Sequence, residues 1–151
     1  MNMMPSTVAR LTSCQTIVAI KEGSGSIQQA SEIIQLCGQR LTVLAGDDAL
    51  TLPMMAVGGK GVITVTANLV PREMAQLVNE FLAGRLDVAR AIHYQLYPLF
   101  TALFYETNPI PVKEALHMMG KIDREIRLPL CSMGSDNREQ LLHVMKEAGL
   151  V

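Results

Sequence analysis

The chain has 151 residues, 49% hydrophobic and 18% charged, with a formal charge of −1. That balance suits one folded domain with a respectable core and excludes a disordered segment. No basic block or aromatic–basic interleaving occurs, so nucleic acid is not an expected partner.

The segment Met1-Asn2-Met3-Met4-Pro5 lacks the charged region and long apolar core of a signal peptide. No uninterrupted apolar run reaches membrane-spanning length, so no membrane association is expected. Cys14, Cys37 and Cys131 are odd in number and widely spaced. They predict reduced, buried or semi-buried thiols in a cytoplasmic protein, with no disulfide framework and no zinc site. Neither a metal nor an organic cofactor is expected.

Three strands are predicted early: Thr16 to Ile20 ending in Lys21, Leu41 to Ala45 ending in Gly46, and Gly61 to Thr66. They are short, β-branched and bounded by turn residues. The chain is expected to begin almost directly on the first of them. Ser26 is placed to cap a helix carrying Ile27, Ala30, Ile33, Ile34 and Leu36 and stopping at Gly38. Asp47 or Asp48 is placed to cap a shorter helix through Leu50, Leu52, Met55 and Val57, closed by Gly58-Gly59, with Pro53 in its first turn or at a kink. Alternating strand and helix predicts parallel pairing through crossovers. From Pro71 onward the pattern is helical. Pro71 suits a first helical position, and Leu86 to Tyr105 forms a long amphipathic stretch with a bend expected at Pro98. Asn108-Pro109-Ile110-Pro111 reads as a rigid connector, followed by helices over Val112 to Gly120 and Asn137 to Ala148. Leu128-Pro129-Leu130 is an extended link between those two. The class is α/β, with a division expected between residues 1–84 and 85–151. Three strands fall short of the eight of a closed barrel. Gly23-Ser24-Gly25 and Gly58-Gly59-Lys60-Gly61 fit no phosphate-binding spacing and read as turns.

Lys21 stands out. An ammonium at the C-terminal tip of an apolar strand is unusual. In a dry pocket, desolvation would favour the neutral amine, a nucleophile toward a carbonyl carbon. The competing reading is a lysine snorkelling off a strand end. For Asp47 and Asp48, helix capping is preferred over a catalytic carboxylate pair. His93, His117 and His143 lie on separate helices and form no triad or ligand set. Tyr94, Tyr97 and Tyr105 are expected to pack in the core with hydrogen-bonded tips.

Val18-Ala19-Ile20-Lys21-Glu22-Gly23-Ser24-Gly25 resembles the active-site strand of the dihydrodipicolinate synthase family. So do Ala45-Gly46-Asp47-Asp48, Gly61-Val62-Ile63-Thr64-Val65-Thr66-Ala67-Asn68 and Asn108-Pro109-Ile110-Pro111-Val112-Lys113, in the same order and across essentially the whole chain. The resemblance implies a (β/α)8 barrel followed by a C-terminal helical domain, of which this chain supplies strands six, seven and eight and then the helices. It implies a class I aldolase-type lyase holding pyruvate as a Schiff base on Lys21 and condensing it with aspartate semialdehyde, in lysine and diaminopimelate biosynthesis. Gly46 would let the backbone approach pyruvate, and Ile63 would contact pyruvate through its main chain and wall the pocket. Taken without the resemblance, Gly46 is a turn glycine and Ile63 a core residue.

The same resemblance implies a homotetramer built as a dimer of dimers. It places the threonine–tyrosine proton relay and the arginine for the semialdehyde carboxylate in an upstream half, so an N-terminal partner half is expected to be needed and activity alone to be low. Two alternatives stay open: an N-acetylneuraminate lyase or ketodeoxygluconate-type pyruvate aldolase, and a non-catalytic fragment that binds full-length synthase.

Overall fold

The computed structural model describes residues 2–151, and Met1 is outside the described residues. The chain forms two compact units, one of residues 2–64 and 78–89, the other of residues 65–77 and 90–151. The boundary expected after residue 84 falls within the second segment of the first unit.

The first unit opens with a helix, α1 (Pro5–Leu11), that the sequence reading passed over. Its signal was Pro5, whose fixed φ and missing N–H suit the first helical position. It has only seven residues and no side-chain cap, so no periodicity announces it. Two strands follow, β1 (Ala19–Glu22) and β2 (Thr42–Ala45), joined by helix α2 (Ile27–Cys37) and paired in parallel. Ser26 Oγ accepts from the Gln29 N–H, so the predicted cap is present. Gly38 ends the helix at φ 57°, where a side chain would be strained, and its N–H returns to the Ile34 carbonyl.

The register pairs Lys21 with Leu44 and Glu22 with Ala45. Side chains alternate along a strand. Ile20, Val43 and Ala45 therefore pack with Val8 of α1 and Ala30, Ile33 and Cys37 of α2 in a continuous core. The opposite face is open: Ala19, Lys21 and Thr42 are exposed.

The third predicted strand is reduced to a single parallel bridge between Ala45 and Val62. The Ala45 N–H donates to the Gly61 carbonyl and the Ile63 N–H to the Ala45 carbonyl, both at 2.8 Å. Beyond this the chain turns into a 3-10 turn over Thr66–Asn68, with Asn68 Nδ2 donating to the Val65 carbonyl. That turn ends the pairing that Ile63, Thr64 and Val65 would otherwise continue. Helix α3 (Thr51–Ala56) follows β2 with Pro53 in its first turn. Neither aspartate caps it. Its N-cap is Leu50, while Asp47 Oδ1 accepts from the Ala49 N–H to form a turn before the helix.

Helix α4 (Pro71–Leu82) begins at the predicted proline, and α5 (Leu86–Ala102) runs through Pro98. The Asn-Pro-Ile-Pro segment is less of a connector than expected. Helix α6 (Ile110–Met118) begins inside it with Pro111 in its first turn, where a missing N–H costs nothing. Helix α7 (Ser135–Glu147) completes the second unit, whose core includes Met74, Leu77, Leu96, Leu99, Leu103, Leu141 and Met145. Tyr94 and Tyr97 do not lie in that core: 67% and 47% of their surface is exposed. It is His93 that is buried, edge-on to Tyr94 and tilted against Tyr97 and Phe100. Burial lowers its pKa. Cys14 and Cys131 are exposed and only Cys37 is buried, all three as free thiols.

Glu114 on α6 is 1% exposed and accepts from Arg124 Nε at 2.8 Å and Arg138 Nε at 2.7 Å. It thereby ties the α6–α7 connection and α7 to α6. Burial pulls its pKa upward, but the hydrogen bonds and charges of the two arginines outweigh this and hold it below its ordinary value of 4.5. A carboxylate depressed in the folded state contributes stability above its unfolded pKa and loses it as pH falls through the folded one. Glu114→Gln should therefore lower the stability measured by urea denaturation at pH 7 by about 2 kcal/mol. The gap to the parent chain should close as pH is lowered below about 4.5, since the parent then loses the same contribution.

Candidate active site at the strand ends

The three candidate residues lie at the ends of three adjacent extended segments. Lys21 is the third residue of β1, Gly46 follows β2, and Ile63 follows the bridge residue Val62. Backbone hydrogen bonds lock these ends together. The Gly46 N–H donates to the Glu22 carbonyl at 2.7 Å, and the Ile63 N–H to the Ala45 carbonyl. The carbonyls of Gly46 and Ile63 accept no hydrogen bond among the described residues.

Gly46 occupies a position where a side chain has no room. A Cβ there would lie 2.8 Å from Gly23 Cα, 2.9 Å from the Glu22 carbonyl oxygen and 2.9 Å from Lys21 Cε. Two of those neighbours are backbone and cannot yield cheaply. The third shows that the lysine arm lies across Gly46. Among the described residues Lys21 makes no ion pair or hydrogen bond. Its amine is uncommitted.

The dry pocket expected around Lys21 is not formed by this chain. Lys21 is exposed because it points to the open face of β1, while the alternating residues Ile20 and Glu22 point inward. It lines an open hollow of about 540 Å³ with Asn2, Met3, Ile20, Glu22, Gly23 and Ser24. Ile63 is 48% exposed on its side-chain side and walls nothing by itself.

One residue was missed by sequence reasoning. Glu22 is 4% exposed and accepts from the Ser24 N–H at 2.7 Å and from Gln29 Nε2 at 2.9 Å. Burial raises its pKa, but the bonds from Ser24 and Gln29 prevail and the net shift is downward. The available signal was a glutamate beside the lysine, followed by the Gly-Ser-Gly turn and a glutamine one helical turn further on. Among the described residues no three His, Cys, Asp or Glu side chains form a metal-holding group, and no helix is long and apolar enough to cross a membrane.

Residues 1–148 match the dihydrodipicolinate synthetase family. The chain is 54% identical over 150 residues to 4-hydroxy-tetrahydrodipicolinate synthase of Thermodesulfovibrio yellowstonii, covering 99% of this chain and 52% of that protein. It is 55% identical to the Geobacter metallireducens protein of the same name, with the same coverage. Among solved structures, dihydrodipicolinate synthase from Aquifex aeolicus superposes with a TM-score of 0.95 at 47% identity, covering 97% of this chain and 50% of that one. The chain spans about half the length of the curated relatives it matches.

The crowding at residue 46 is directly testable. Gly46→Ala should force the ends of β1 and β2 apart and lower stability in urea by about 1–3 kcal/mol. Gly23→Ala, whose new Cβ would meet nothing closer than 3.9 Å, should cost less than half as much. Equal costs would show that the closeness of the two strands is not what requires glycine at 46.

Proposed function

The chain belongs to the dihydrodipicolinate synthetase family, and from that premise we propose that Lys21 is a Schiff-base lysine for pyruvate. The observation that carries the reading is the lysine arm lying unpaired across a glycine that tolerates no side chain. The amine attacks the ketone carbon of pyruvate, and loss of water leaves an imine. Loss of a proton from the neighbouring methyl gives an enamine, whose carbon attacks the aldehyde carbon of aspartate semialdehyde. Gly46, lacking a side chain, leaves room for the keto acid beside the lysine arm, and the main chain of Ile63 lies at the same strand ends. The reaction class is that of a 4-hydroxy-tetrahydrodipicolinate synthase in lysine and diaminopimelate biosynthesis.

On this reading β1, β2 and the segment through Ile63 are strands six, seven and eight of a (β/α)8 barrel, and the later helices are its C-terminal domain. The open face of β1 and β2 is where the remaining strands sit. Covering it supplies two things this chain does not: desolvation of Lys21, which favours the reactive neutral amine, and a proton relay. General acid–base groups contribute about a hundred- to ten-thousandfold, so the chain alone is a poor synthase. A cytoplasmic setting accords with three free thiols. The assembled form is a homotetramer.

Borohydride reduction in the presence of pyruvate tests this. Peptide mapping should place the reduced adduct on Lys21, formed slowly by the chain alone and at least about tenfold faster with an N-terminal half added in trans. Lys21→Ala should form no adduct and melt within about 0.5 kcal/mol of the parent, since the side chain is exposed. Absence of an adduct in both mixtures would defeat the reading.

A further inference from the structure

Glu22 is the one buried carboxylate beside Lys21, and its hydrogen bonds close on themselves. Its Oε1 accepts from the Ser24 N–H at 2.7 Å, and Ser24 Oγ accepts from the Ser26 N–H at 3.2 Å. Ser26 Oγ in turn accepts from the Gln29 N–H at 3.1 Å, and Gln29 Nε2 donates back to Glu22 Oε2 at 2.9 Å. Four bonds form a ring that contains the whole turn between β1 and α2. The ring is anchored on both sides. Gln29 exchanges two amide hydrogen bonds with Asn2, and the Glu22 carbonyl accepts from the Gly46 N–H.

A turn of the type Gly-Ser-Gly is intrinsically loose, because glycine loses more freedom on ordering than any other residue. Left unbraced, it would let the tip of β1 and the lysine immediately before Glu22 sample several directions. Charge-assisted bonds are short and directional, and here they hold Ser24 in the turn and Gln29 on α2. Burying a carboxylate is costly unless it is fully hydrogen-bonded, so its retention behind an exposed lysine calls for a purpose beyond packing.

We propose that Glu22 is the positioning residue for Lys21, closing the ring that fixes the lysine arm across Gly46. The proposal rests on the Schiff-base reading for its chemistry but not for its geometry. Glu22→Gln keeps the shape and breaks one link, since the new amide nitrogen faces that of Gln29 and two donors meet. The double variant Glu22→Gln with Gln29→Glu restores that link with the roles exchanged. Its new carboxylate still accepts from Asn2.

Two measurements on the full chain decide the matter. In borohydride trapping, Glu22→Gln should lower the rate at saturating pyruvate about tenfold, on the scale expected when a reacting group is misplaced, with half-saturation unchanged. The double variant should recover most of the rate. In competitive acylation, the reactivity of Lys21 relative to Lys60 across a range of pH should shift in the single variant and return in the double one. An unchanged Lys21 in Glu22→Gln, or a loss that the exchange does not repair, overturns the proposal. If the parent chain traps no pyruvate either alone or with an N-terminal half in trans, the Schiff-base reading fails on its own, and the acylation pattern still decides whether Glu22 positions Lys21.

Discussion

Everything at the candidate site depends on how closely the ends of β1 and β2 approach each other at Gly46. The hydrogen bond from the Gly46 N–H to the Glu22 carbonyl extends the parallel pairing one residue past the last strand position. That brings Gly46 under Gly23 and the lysine arm. Parallel pairs have evenly spaced bonds, so the placement of Gly46 against Glu22 follows from the register set at Ala19 and Thr42. The core behind the strands enforces that register. A slip of one residue would turn Val43 and Ala45 outward and bring Thr42 and Leu44 in. The packing of α1 and α2 is therefore what aims Lys21, although neither helix touches its amine.

The two buried glutamates illustrate one solution to the same problem in different settings. Neither Glu22 nor Glu114 could be buried bare. Glu114 is compensated by two full positive charges, which suits a structural clamp across two helices. Glu22 is compensated by neutral donors only, an amide N–H and a glutamine side chain. Its negative charge is held in place without being cancelled. Its bonds fix the turn that follows Lys21, whereas those of Glu114 bridge separate elements of the second unit.

What the sequence disclosed was what is local. The Ser26 cap, the Gly38 stop and the Pro71 start each depend on a few neighbouring residues, and each is where the pattern placed it, whereas β1 runs Ala19–Glu22, later than the expected Thr16 to Ile20. What it withheld depends on distant partners or on competition between short-range options. The Arg124 and Arg138 contacts of Glu114 span 10 and 24 residues, and no spacing rule announces them. Asp47 had a choice between capping a helix and closing a turn two residues on, and the turn won because the helix starts only at Thr51. The third strand was legible in its β-branched run, yet Asn68 and Thr66 favour a 3-10 turn that cuts it to a bridge. The dry pocket follows from the chemistry of lysine and from one expected wall, Ile63, which is 48% exposed in this chain.

The exposure of Lys21 separates fold from activity in this protein. The arm is placed, the glycine beneath it is empty and two carbonyls are unclaimed. All of that is geometry, and the chain builds it from its own residues. Nucleophilic attack also requires a free amine, and removal of water is what makes a lysine give up its proton. The face that carries Lys21 is the face left open, with Ala19 and Ile63 exposed beside it. An apolar rim around an uncommitted amine is costly to leave in water and useful once covered. Covering that face would remove an apolar patch from solvent and, on the proposed reading, desolvate an amine that the fold has already placed. On the Schiff-base reading the uncovered chain is slow because its amine stays solvated, and reactivity rises as the face is covered.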